Sequence, residues 1–242
     1  MEANPIKNAF DIKNEQDGKS TIYLYGTVGG YYNGISLSSV KDALEQISTN
    51  DIEVHINSYG GDLFEGIAIK NLLKQREEKI TVYIDGIAAS AASIIAMAGD
   101  EIIMPADAQL MIHNPWTYAA GNAVELRKIA DDLEKSQTSL EESYMKRFVG
   151  TRDELKALLD EETQLTAEEA IAFGLADRLD EEVVSSEDPI SAKATLIQKL
   201  ALQATGKVSA DFNQAGTTPD SKKELKEENL FLKNLINIME EK

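Results

Sequence analysis

Three strand-like apolar runs, each closed by glycine and each followed by a helix-like run, limit what this chain can fold into more than any other feature. Residues 21–25 are ended by Gly26 and the Gly29-Gly30 pair, after which Val40, Ala43, Leu44 and Ile47 recur on one helical face. Residues 53–57 alternate as a second strand, Gly60-Gly61 turns the chain, and 63–73 returns it as a helix bearing Ile67, Ile69, Leu72 and Leu73. A third strand is expected over 80–84, a turn at Gly86, and a buried helix of small and apolar residues over 88–98. Short strands over 101–104 and 109–113 complete the series. Such alternation predicts parallel strands joined by right-handed crossovers: an α/β sheet of repeated β-α units whose sites lie at the carboxyl ends of the strands.

Beyond this core, 124–148 reads as a long helix with Leu126, Ile129, Leu133, Leu140, Tyr144 and Phe148 at spacings of three, four or seven. A stripe on so long a helix packs on its own domain or on another subunit. Thr166 and Glu169 form a capping box, Gly174 ends the helix they open, and 175–179 reads as a last strand. The expected organisation is a core domain over 1–182, an acidic linker with an amphipathic helix over 183–204, a flexible linker over 205–220 and a final helix over 221–242. That helix opens on a Ser221/Glu224 capping box and repeats Leu225, Leu232 and Met239 every seven residues, with Glu228 interrupting the seam. It fits a weak coiled coil, a docking element or a solvated tail.

Composition narrows the chemistry. The absence of cysteine leaves Ser, Thr or Lys as the only covalent nucleophiles. A net charge of −18 disfavours nucleic acid and anionic membranes, which require basic patches. No run approaches the roughly 18 apolar residues of a membrane span, and the first residues lack the order of a secretory signal, so a cytoplasmic location is expected. With His55 and His113 the only histidines, a polyhistidine metal site is excluded and an imidazole base has two candidates. No metal or cofactor is expected.

Ser90 lies in Gly86-Ile87-Ala88-Ala89-Ser90-Ala91-Ala92-Ser93, a strand-to-helix turn of small residues where a substrate backbone can approach. Alone, such a run is more often a close-packed helix, and Ser93, one turn on, is expected to pack inside it. Serine needs a base to take its proton. His113 ends a strand and precedes the loop Asn114-Pro115-Trp116 at the same edge of the sheet, whereas His55 sits mid-strand, where an exposed or structural role is expected. Asn57-Ser58-Tyr59-Gly60-Gly61 ends another strand with glycines whose bare backbone can offer an amide to a developing oxyanion.

Taken in order, Ile56-Asn57-Ser58-Tyr59-Gly60-Gly61, Gly86-Ile87-Ala88-Ala89-Ser90, Met111-Ile112-His113-Asn114-Pro115 and Thr166-Ala167-Glu168-Glu169-Ala170 with Gly174-Leu175 resemble the successive signatures of the Clp protease proteolytic subunit family. The resemblance spans about 21–179. It implies the fold that family shares with crotonases, a protruding handle helix after Gly121, and a serine peptidase with Ser90 as nucleophile, His113 as base and the amides of Gly61 and Ala91 as oxyanion hole. It also implies polypeptide substrates and a ring-shaped homo-oligomer. The family's usual aspartate before the Thr-Ala-Glu-Glu segment is here Glu162, the expected third member. Tyr59 replaces a proline of the glycine turn and Ala91 a common methionine. With the appended helix, these departures resemble the branch of phage and prophage head-maturation proteases, whose substrates are capsid or scaffold proteins. A housekeeping subunit would instead work with an ATP-dependent unfoldase. An acyl-CoA hydratase/isomerase or a non-catalytic assembly protein on the same fold are the rival readings. A Ser-Lys peptidase is disfavoured for want of a membrane anchor.

Overall fold

The side chains of the central strands alternate, and that alternation decides which face of the sheet is covered. In β2 (Lys19–Val28), β3 (Asp51–Gly61) and β4 (Lys79–Ala89), Ile22, Leu24, Ile52, Val54, Ile56, Ile80, Val82 and Ile84 are buried, while Tyr23, Tyr25, Glu53, His55, Tyr83 and Asp85 are not. A period of two with one apolar face is the signature of a sheet covered on one side. The computed structural model describes residues 9–14, 18–29, 34–49, 51–180 and 193–198. The chain divides into two compact units, 1–192 and 193–242.

In the first unit, α1 (Leu37–Glu45) starts at a reciprocal Ser36/Ser39 cap and buries Val40, Ala43 and Leu44. Helix α2 (Leu63–Leu73) starts at Asp62, whose carboxylate accepts from the Glu65 amide at 2.8 Å. Helix α3 (Ala91–Ala96) is buried along its whole length. The described strands form one sheet in the order β1-β2-β3-β4-β5-β8, with β6 joining β4 to β7. Its members beyond the central three are β1 (Ala9–Asn14), β5 (Glu101–Met104), β6 (Gln109–Met111), β7 (Gln164–Thr166) and β8 (Arg178–Leu179). Strands β2 to β5 run parallel, as the β-α alternation predicts. Two pairs, β1 with β2 and β6 with β7, are antiparallel, which that alternation does not anticipate.

Gly29 follows the end of β2 directly, as expected, but Gly26 and Gly86 lie inside strands. Strand β2 runs through Gly26, where its register with β3 shifts, and β4 runs through Gly86 to Ala89. The first part of β4 pairs with β5 and its last part with β6, so the strand changes partner around Gly86 rather than turning there. Ala88 and Ala89 are therefore strand, and the helix begins three residues later than the small-residue run suggests. Gly60 and Gly61 still pair with β2, and the chain turns only at Asp62. His113 lies two residues past the end of β6, in a segment without regular structure.

Helix α4 (Ala123–Met145) is the long predicted helix, and the stripe divides along its length. Leu140 and Tyr144 are buried, whereas Val124 and Leu126 near its start are exposed. Helix α5 (Arg152–Asp160) is absent from the sequence-based expectation, although the Thr151/Glu154 capping box and the buried trio Leu155, Leu158 and Leu159 mark it. Helix α6 (Ala167–Ala172) starts at Thr166 and stops before Gly174, as the capping box and glycine predict. In the second unit residues 193–198 are helical, inside the 183–204 segment expected to hold an amphipathic helix. The linker over 205–220 and the helix over 221–242 lie outside the described residues. No helix among the described residues is long and apolar enough to cross a membrane.

Candidate active site

Three strand ends and one helix end meet at a single groove. Ser90 follows β4 directly, its amide donating to the Met111 carbonyl of β6 at 3.0 Å, so the serine is pinned beside the strand that leads to His113. Its backbone has φ 55° and ψ −126°, a conformation that L-residues rarely adopt. The Ser90 Oγ lies 2.7 Å from Nε2 of His113. Burial holds the imidazole below the ordinary histidine pKa, opposed by the nearby Glu162 carboxylate, which pulls it up. The ring is thus neutral near pH 7, and a neutral imidazole with Nε2 as acceptor is the form that takes a hydroxyl proton.

Behind the serine, Ser93 is fully buried, as expected. Its Oγ is 2.6 Å from the Ser90 carbonyl and 2.7 Å from the Tyr144 hydroxyl. A carbonyl only accepts, so the single Ser93 proton goes to Ser90, and Tyr144 donates to Ser93. Burial pushes the Tyr144 hydroxyl well above its ordinary pKa and keeps that donor in place.

The glycine turn closes the other side. A Cβ on Gly60 would stand 2.7 Å from the Ser90 Cβ and 2.9 Å from the Ala91 nitrogen, and one on Gly61 would stand 2.0 Å from the Val28 carbonyl. Only glycine lets the end of β3 lie this close to residues 90 and 91. The buried Ser58 fixes this end of β3, donating to the Gly26 carbonyl at 2.5 Å and accepting from the Gly60 amide at 3.0 Å. Gly61 and Ala91 both line the groove.

Glu162 sits in the turn after α5. Its amide donates to Leu159 and the Thr163 amide to Leu158, each at 3.2 Å, the paired bonds of a Schellman helix end. The position between them needs a left-handed backbone, usually glycine, and Glu162 occupies it with φ 49°. The neighbouring Thr163 carbonyl accepts from the Ile112 amide at 3.0 Å, which brings this turn beside His113. Glu162 is exposed and acts on the ring through charge; no side chain among the described residues hydrogen-bonds its Nδ1. Among the described residues, Ser90 and Glu162 are the only non-glycine positions with positive φ, and both belong to this one site.

His55 is elsewhere. Its Nδ1 is 2.9 Å from Asp85, and its ring stacks on Tyr83 at 4.7 Å and leans on Tyr23, on the uncovered sheet face. That is the structural role expected of it. Sequence reasoning gave no bonding role to Ser58, Asn114, Tyr144 or Asp160; the first two lie inside quoted motifs and Tyr144 in the stripe of the long helix, but nothing in their spacing signals one.

The groove encloses about 840 Å³. Tyr59, Phe64 and Trp116 stand 54%, 60% and 63% exposed on its walls, and α4 contributes Leu133 and Leu140. Among the described residues, Asp62 is the one formally charged side chain lining it at neutral pH, in a chain of net charge −18. An open, nearly uncharged, aromatic-walled cleft with an alcohol–imidazole pair suits an extended peptide undergoing acyl transfer. Over residues 9–183 the sequence matches the family model described as Clp protease. With the parallel sheet and the groove at its strand ends, that match over most of the chain assigns the protein to the Clp protease family of peptidases.

Proposed function

We propose that this peptidase is a serine endopeptidase in which Ser90 is the nucleophile and His113 its general base and acid. His113 takes the Ser90 proton as the oxygen attacks the peptide carbonyl. The amides of Gly61 and Ala91 hold the oxyanion, and the imidazolium then protonates the leaving amine. Water, activated by the same ring, releases the acyl-enzyme. Glu162 favours the imidazolium through its negative charge. The observation that carries this reading is the 2.7 Å Ser90–His113 approach within the groove. Strained backbone at both Ser90 and Glu162 supports it further, because such strain persists where function requires a geometry.

The aromatic, nearly uncharged groove walls favour polypeptide segments with apolar side chains. We assign the natural substrates to capsid or scaffold chains of a phage or prophage, cut in the cytoplasm by a ring-shaped homo-oligomer without metal or cofactor. The Clp-like departures at Tyr59 and Ala91 support this. Incubating the assembled protein and its Ser90→Ala variant with capsid and scaffold chains, and reading products by mass spectrometry, tests it. Discrete cleavage by the wild type alone is expected. Activity retained in Ser90→Ala would point to the hydratase/isomerase reading, and complete processive degradation that needs an unfoldase and ATP to the housekeeping one.

A further inference from the structure

His113 belongs to a stretch, residues 112–122, that has no regular secondary structure, so something other than a strand ladder must hold its imidazole on Ser90. Two bonds flank it. On one side the Ile112 amide donates to the Thr163 carbonyl at 3.0 Å, and on the other the Asn114 Nδ2 donates to Asp160 Oδ1 at 2.6 Å. Both acceptors lie in the four-residue span 160–163 that also holds Glu162. The amide bond is of a kind any backbone can make, but the side-chain bond depends on Asn114 and Asp160 alone.

A second observation shows that Asn114 is not there for packing. Its Oδ1 is buried without a hydrogen-bond partner. An orphaned carbonyl of this kind is destabilising, a cost that an apolar side chain would avoid. The site tolerates the orphan because the other end of the same amide supplies the donor to Asp160. Asp160 also closes α5 at its carboxyl end, where a negative charge opposes the helix dipole. Each partner is locally unfavourable and each is explained by the other.

We infer that Asn114 and Asp160 form a positioning clasp that ties the His113 loop to the Glu162 turn and so sets the imidazole on Ser90. This rests on the Ser90–His113 reading above. Neither residue touches the reacting atoms. The bond is at an exposed site, so its contribution to stability is small and its effect falls on geometry.

The test is an exchange in the full-length assembled chain. Asn114→Asp sets two carboxylates against each other. Asp160→Asn keeps an acceptor, and the double variant Asn114→Asp/Asp160→Asn restores an amide–carboxylate bond in the reverse sense. Turnover of a fluorogenic peptide is measured on the alkaline plateau of each pH profile, where His113 is neutral in every variant. The expected result is a tenfold or greater loss of kcat in Asn114→Asp with KM within about twofold. Asp160→Asn stays near wild type, and the double variant recovers to within about threefold. Should Asn114→Asp fail to fold, Asp160→Ala at the exposed partner carries the same test, with an equivalent loss of kcat expected. Unchanged kcat in Asn114→Asp or Asp160→Ala, or a double variant no better than Asn114→Asp, overturns the clasp. A wild type that neither turns over peptide nor reacts with a fluorophosphonate at Ser90 overturns the underlying reading instead.

Discussion

Glu162 holds the position of a helix-ending glycine, and stability and catalysis pull in opposite directions there. A left-handed non-glycine residue costs about 1 kcal/mol. Glu162→Gly should therefore raise stability by about 0.5–1 kcal/mol in urea unfolding while lowering kcat/KM. Glu162→Gln keeps the strain and removes the charge. Because Glu162 raises the His113 pKa against the lowering effect of burial, the acid limb of kcat/KM starts below the ordinary histidine value of 6.5 and moves lower still in Glu162→Gln. Activity falls by about ten- to a hundredfold, less than the ~10⁴ typical where a buried carboxylate fixes the tautomer through a hydrogen bond. The sign for folding follows from the same shift. The unfolded chain binds the His113 proton more readily, so stability is lost as pH falls from the ordinary histidine value toward the lower folded one. An acid limb that shifts upward in Glu162→Gln would contradict the charge-based role.

Helices α3 and α4 are joined behind Ser90 by the Tyr144–Ser93–Ser90 chain, and the two links differ in kind. Tyr144→Phe removes one donor and leaves Ser93 bonded to the Ser90 carbonyl, so a loss of about 1 kcal/mol and a melting shift of roughly 2–4 °C are expected, with Ser90 reactivity within threefold. Ser93→Ala strands the buried Tyr144 hydroxyl and removes the hydroxyl donor to the Ser90 carbonyl, which keeps only the Ser93 and Ile94 amides. Both melting temperature and acylation rate should drop further, as scanning calorimetry and probe kinetics would read. The elements themselves were largely legible in advance. Helix α2 and the strand β5 follow from apolar spacing, and α6 from its capping box and closing glycine. Gly26, Gly60, Gly61 and Gly86 misled, because glycine also serves where strands shift register or approach another backbone, and single-sequence patterns do not separate these uses from turns. Helix α5 carried its signal in Thr151 and Glu154 and went unread. Of the site, His113 stood out because the chain has only two histidines, and Ser90 and the Gly60-Gly61 pair because each lies in a short run of small residues at a strand end. Asn114 and Asp160 did not, since their bond spans 46 positions and follows from tertiary geometry alone.

Over the whole molecule, charge and apolar surface are segregated. The chain carries −18, yet the described groove lining is nearly uncharged and walled by exposed aromatics, so acidic substrate segments face general repulsion on approach and meet no cation among the described lining residues. Val124 and Leu126 stand exposed on the first turns of α4, 74% and 42% in the single chain, as apolar residues are when another subunit covers them. Leu126→Glu with Val124→Glu should leave the melting profile of the fold intact and reduce the assembly to smaller species in analytical ultracentrifugation.

The central claim is that His113 activates Ser90. Its most direct test is the pH-dependent rate at which a fluorophosphonate modifies the assembled protein, followed by intact-mass and peptide-level mass spectrometry. The account predicts one modification per chain, at Ser90, with a rate that rises through a single inflection below pH 6.5 and falls at least a thousandfold in His113→Gln. Modification elsewhere, or a Ser90 rate that His113→Gln leaves unchanged, would contradict it.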